Sequence, residues 1–150
     1  MTQEDKELLL KDLCARLPYG VICHYDTIVP MVGKVKSYGR LYNISFFGVK
    51  TCFQFHCNRD VFDFDNVKPY LFPLSSLTEK QRSEISQLLI DTQNTFSPYG
   101  EINTKGCDNL FVCSVKQSNA LINYCLMHHL DINGLIEKGL ALDATGLNIY

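Results

Sequence analysis

Residues 67–81, VKPYLFPLSSLTEKQ, divide this chain into two parts that follow different periodicities. Prolines, serines and a threonine gather there. Proline fixes φ, and short hydroxyl side chains hydrogen-bond to nearby backbone groups, so such clusters fall between elements rather than inside them. Upstream, aromatic and β-branched residues come in short runs broken by glycine and proline, as strands do. Downstream, apolar residues recur at three- and four-residue spacing, as on the buried face of a helix. Strands followed by helices in 150 residues predict one α+β domain, β-rich over about 19–67 and helical over about 77–150.

The elements follow from local chemistry. Thr2 is placed to cap a first helix whose opening turn carries Glu4 and Asp5, acids favoured at the positive end of the helix dipole. Leu9, Leu10, Leu13, Cys14 and Leu17 form its apolar stripe, and Pro18 ends it. Strands are predicted over 19–25, 28–38 (weakened by Pro30 and Gly33), 40–47, 50–57 and 61–67, with a turn at Gly39 and a hairpin around Gly48. Phe53, Phe55 and Cys57 alternate with Cys52, Gln54 and His56, the period-two mark of a half-buried strand. The expected sheet is small, antiparallel and curled, an SH3-like or partly open barrel, with the C-terminal helices packed on it.

In the second part, Thr78 and Gln81 fit a reciprocal capping box, and Ile85, Leu88 and Leu89 supply an inward face. Residues 91–109 form a polar, turn-rich loop. A further helix is expected over 118–130. A short helix over 132–138 should end at Gly139 in a left-handed conformation, with Leu140 contacting Leu135. Residues 140–150 are apolar enough to dock.

Composition excludes several classes. No apolar run approaches the roughly 20 residues that span a bilayer. The polar N-terminus MTQEDKELLLKDL is neither a signal nor a transit peptide, which predicts a cytoplasmic protein. Seven cysteines, odd in number and without a C-x-x-C pair, are then free thiols used as small hydrophobes. Nucleotide-binding glycine loops, H-E-x-x-H and G-x-S-x-G are absent from the sequence, so no cofactor is implied.

Net charge is −2, yet charge is unevenly placed. From Thr27 to Arg59 no acid occurs, while Lys34, Lys36, Arg40 and Lys50 fall inside, near Tyr38, Tyr42, Phe46 and Phe53. Small curled sheets hold single-stranded nucleic acid with basic side chains and stacking rings, which makes Lys34, Lys36, Tyr38, Arg40, Tyr42 and Lys50 candidates. The competing reading commits the rings to the core. For a metal or acid–base site the candidates are His128, His129 and Asp131. Adjacent histidines diverge by about 100° on a helix, so they converge only if the helix ends there, and the alternative is a packed histidine with Asp131 as a cap. Asp60, Asp63 and Asp65 are a second acidic set. A zinc site from Cys23, His24, Cys52, His56 and Cys57 is opposed by alternation, which sends His56 and Cys57 to opposite faces.

Three segments carry a resemblance. They are Leu13-Cys14-Ala15-Arg16-Leu17-Pro18-Tyr19-Gly20-Val21, then Lys68-Pro69-Tyr70-Leu71 with Pro73-Leu74-Ser75-Ser76-Leu77-Thr78, and Gly134-Leu135-Ile136-Glu137-Lys138-Gly139-Leu140-Ala141-Leu142. In order and spacing they resemble small uncharacterised proteins encoded by phages, prophages and mobile elements of gut anaerobes. The resemblance spans most of the chain and implies a phage-type accessory protein. The leading expectation is therefore a non-enzymatic protein that binds a host or phage protein. A nucleic-acid-binding module is the alternative, and a metal-dependent enzyme using Asp63, Asp65 or His128, His129 and Asp131 is third.

Overall fold

The computed structural model describes residues 1–29, 31–48, 50–56, 59–61, 64–91 and 115–150. The chain forms two compact units, Met1–Ser76 with Leu126–Tyr150, and Leu77–Cys125. The architecture is α+β, as the sequence predicts.

The first unit begins with helix α1 (Gln3–Arg16). Thr2 Oγ1 accepts from Asp5 N at 3.1 Å and Asp5 Oδ2 accepts from Thr2 N at 3.2 Å, so each residue satisfies a donor the helix start leaves open. Leu9 and Leu13 are fully buried, whereas Cys14 is exposed. Pro18 does not end the chain's helical course at once. It sits in a one-turn 3₁₀ segment, Leu17–Tyr19, which Gly20 closes in the left-handed conformation (φ 70°).

Strands β1 (Ile22–Val29), β2 (Gly33–Phe47), β3 (Lys50–Phe55), β4 (Arg59–Val61), β5 (Val67–Leu71) and β6 (Leu142–Asp143) form a sheet in the order β4-β3-β2-β1-β5-β6. All neighbours are antiparallel except β5 and β6. The long strand β2 changes partner midway: residues 33–40 pair with β1 and 41–47 with β3. At the changeover Leu41 opposes Phe55 and Asn43 opposes Gln54, which leaves Tyr42 as an extra residue. Such a bulge bends the strand and increases its twist. The sheet consequently curls until β4 returns to contact β1. The inner face buries Cys23, Tyr25, Leu41, Phe53, Phe55, Val61, Val67 and Leu71 together with Leu9 and Leu13 of α1. The Tyr25 and Phe55 rings stack at 4.2 Å between centroids.

Three local expectations are corrected. Gly39 is not a turn but lies within β2, opposite Cys23. It sits under the stacked rings, where an added Cβ would stand 3.6 Å from Tyr25 Cε1 and 3.8 Å from Phe55 Cβ. The strand expected over 61–67 is instead β4, a 3₁₀ turn (Phe64–Asn66) and β5. The helix expected over 132–138 is a hydrogen-bonded turn. Its ending is nevertheless as predicted: Leu140 N donates to Leu135 O (2.8 Å), Gly139 N to Ile136 O (3.0 Å), Gly139 has φ 69°, and Leu135 and Leu140 are buried in one cluster. Beyond it, β6 pairs with β5, so the C-terminal segment does dock.

The second unit contains α2 (Glu79–Asp91) and most of α3 (Val115–Met127). Thr78 N donates to Gln81 Oε1 (2.9 Å) and Gln81 N to Thr78 Oγ1 (3.3 Å), the predicted capping box. Tyr124 donates its hydroxyl proton to Glu84 Oε2 at 2.6 Å; burial, then this carboxylate, pushes the phenol up to about 12. The 91–109 loop lies outside the described residues from 92 onward.

Candidate binding face on the sheet

Alternation along β2 turns Leu41 inward and sends Lys34, Lys36, Tyr38, Arg40 and Tyr42 outward, all of them exposed. Tyr38 is 67% exposed and Tyr42 45%, while Phe53 is fully buried. The rings therefore divide: one set fills the core, and the two tyrosines of β2 stay in solvent, Tyr38 between Lys36 and Arg40 and Tyr42 beyond Arg40. The sixth candidate, Lys50, stands apart. It pairs with Phe47 at the far end of β2, five positions beyond Tyr42, or roughly 15 Å along the strand.

Pairing across the sheet adds groups that the sequence did not single out for this face. His24 of β1 lies opposite Tyr38 on one side and Lys68 of β5 on the other. Asp26 lies opposite Lys36 and takes an ion pair from Lys34 Nζ at 2.9 Å. That hydrogen bond is the main reason its carboxyl titrates below the usual carboxylate range. Lys34 Nζ also reaches Asn66 Oδ1 at 3.4 Å, and His24 Nε2 lies 3.7 Å from Asp26 Oδ1. The acid-free stretch in the sequence thus acquires an acid in space at the Lys34–Lys36 end, because the β1–β2 register folds Asp26 back onto it. Alternation alone signals that His24 and Asp26 share a face; which residues they meet depends on that register.

At the bulge midway along β2 the face dips into a cavity of about 320 Å³, bordered by Tyr19, Gly20, Arg40, Tyr42 and His56. The Tyr42 and His56 rings approach to 5.1 Å at a tilt of 42°. The Arg40 side chain lies across Gly20, where a Cβ would come within 3.1 Å of its Nε. Only glycine adopts this φ without strain and also leaves room for the guanidinium.

The residues offered for metal chemistry are engaged otherwise. Asp131 accepts from Leu135 N and Ile136 N through separate oxygens, both at 2.9 Å, and so caps the turn that follows. His129, two residues past the end of α3, is in the left-handed region (φ 54°), and its ring stacks on Tyr150 at 3.9 Å. Burial, then the charge of Arg16, brings the His129 imidazole down to about 4. His128, His129 and Asp131 therefore do not form a ligand set; among the described residues no group of three or more histidines, cysteines or acids does. Asp65 pairs with the N-terminal ammonium at 3.3 Å, and Asp63 and Cys57 lie outside the described residues. Cys23, Cys52 and Cys125 are buried free thiols, and burial raises the Cys23 thiol.

Beside His129 is a network that sequence reading missed. Arg16 and Asp12 are both fully buried and pair through two contacts, Nε to Oδ2 at 2.7 Å and Nη2 to Oδ1 at 3.1 Å. Arg16 Nη2 also donates to Leu130 O at 2.7 Å, and Asn133 Nδ2 to Asp12 Oδ1 at 2.8 Å. The i,i+4 spacing of Asp12 and Arg16 was the available signal.

Comparison with protein-family models, curated proteins and solved structures finds no match to this chain.

Proposed function

We propose that this protein binds single-stranded nucleic acid along the outer face of β2. The observation that carries the reading is the outward placement of Tyr38, between Lys36 and Arg40, and of Tyr42, just beyond Arg40, on the face that also carries Lys34. Cations spaced along a strand follow a phosphate backbone, and exposed rings offer a stacking surface to any base. Lys68 extends the cationic side onto β5, and Asp26 subtracts from it. Four cations against one carboxylate predict a moderate, non-specific affinity that falls with salt. For single strands the slope of log K on log salt is about −0.7 per phosphate neutralised, so about −2 is expected here. The test is fluorescence anisotropy with a labelled oligonucleotide over a salt series. Lys34→Glu with Lys36→Glu should flatten the slope and weaken binding at low salt; unchanged binding in that variant would remove the proposal.

A protein partner is the second reading, supported by the apolar ends of two hairpins. Met31 and Val32 between β1 and β2, and Phe46 and Phe47 at the end of β2, are all strongly exposed. Under that reading the chain is an accessory protein of a phage or mobile element, as the sequence resemblance implies. Association would then be insensitive to salt and would be lost on Phe46→Ser rather than on charge reversal of the lysines.

A further inference from the structure

Resting on the nucleic-acid reading, we propose that the cavity at the β2 bulge receives one unstacked base of the bound strand, with Tyr42 as its stacking surface and Arg40 on the adjoining phosphate.

The size fits. At about 320 Å³ the cavity is at the small end of ligand pockets, suited to one nucleoside-sized group rather than a stacked run. The bulge matters as much as the volume. Because Tyr42 is the unpaired extra residue of β2, its ring belongs to neither regular half of the strand and stands at the cavity wall beside His56. A base entering there meets an aromatic face, an attraction available to every base because each has a π-surface.

Arg40 supplies the second element. Lys34 is occupied by Asp26, but Arg40 has no ion pair or side-chain hydrogen bond among the described residues. Its arm is seated on Gly20 at the cavity rim, and among the described residues none of its donors is used on a protein acceptor. A planar fork held in place and left unpaired suits the two terminal oxygens of a phosphodiester better than a mobile lysine would. The stripe of lysines then tracks the backbone, and the cavity marks the one position where the strand is held by its base.

Two short single strands of equal length separate these roles: one phosphodiester chain with no bases, and the same chain with a single adenine at its centre. Wild-type protein should bind the base-free strand with the salt dependence of the lysine face and gain about tenfold or more from the single base. Tyr42→Ala should bind the base-free strand as wild type does and lose the gain, while Tyr42→Phe should keep it. Thermal melts of both variants report that the fold is intact. If the base-free strand binds and the single base adds nothing, or adds as much in Tyr42→Ala, the cavity assignment falls and the face reading stands. Binding of neither strand overturns both.

Discussion

Two acid–base pairs in the first unit use the same chemistry for different purposes. Asp12–Arg16 is sealed in the interior, with both side chains fully buried, two contacts within the pair and two further partners in Leu130 O and Asn133 Nδ2. Asp26–Lys34 lies on the outer face, with the lysine 63% and the aspartate 18% exposed and one close contact. A charge taken out of water costs several kcal/mol unless attraction and hydrogen bonds offset it, which is why the inner pair is held by four bonds, although Arg16 Nη1 is buried without a partner among the described residues. The outer pair keeps its lysine in water, so it loses less solvation and gains less. Depth, not residue type, makes one a strut joining α1 to the segment after α3 and leaves the other to set the charge of a surface.

The sharpest way to break the contrast is to remove one inner partner. Arg16→Met leaves a buried carboxylate with Asn133 as its remaining side-chain donor, and stability should fall by about 3–5 kcal/mol in chemical denaturation. Removing both charges, as Asp12→Leu with Arg16→Met, should recover much of that loss, since the cost lies chiefly in the orphaned charge. An equal or greater loss in the double variant would show that the pair's own bonds, and not the unpaired carboxylate, carry the effect.

Acid should probe the same interior. The folded-state value for His129, about 4, lies below the ordinary 6.5 of a free imidazole, so the unfolded chain takes up this proton before the folded one does. The contribution is intact above pH 6.5 and is lost as pH falls toward 4, by up to about 3 kcal/mol at roughly 1.4 kcal/mol per unit. His129→Asn tolerates the left-handed backbone and does not titrate. Its stability should be flatter between pH 6.5 and 4, and an identical pH profile in the two proteins would exclude His129 as the source.

Legibility in the sequence divides along the same line between local and distant partners. The Thr2 and Thr78 caps, the left-handed Gly139 and the Leu140 N–H to Leu135 carbonyl bond depend on residues within six positions, and all were readable. The alternation that exposes Lys34, Lys36, Tyr38 and Arg40 is also local. What was not readable depends on register or on pairing across the fold. Gly39 carries a turn signal, but it lies mid-strand opposite Cys23 and against Tyr25 and Phe55, which arrive from two other strands. Arg16 looks like a helix-end cation until Leu130, 114 positions away, supplies its carbonyl. The cavity draws Tyr19, Arg40 and His56 from three elements, and nothing in their spacing announces that they meet.

The smallest expected effect tests the outer pair. Asp26→Asn removes the carboxylate that holds Lys34 while keeping the size of the side chain. An exposed pair of this kind contributes about 0–1 kcal/mol, so the melting temperature should move by a few degrees at most. Binding should respond in the opposite sense. Freed from Asp26, Lys34 can neutralise a phosphate of its own, so affinity for a single strand should rise at low salt and the salt slope should steepen by about 0.7. If stability instead fell by several kcal/mol with no gain in affinity, Asp26–Lys34 would belong with Asp12–Arg16 as a structural pair, and the distinction between the two regions would rest on exposure alone.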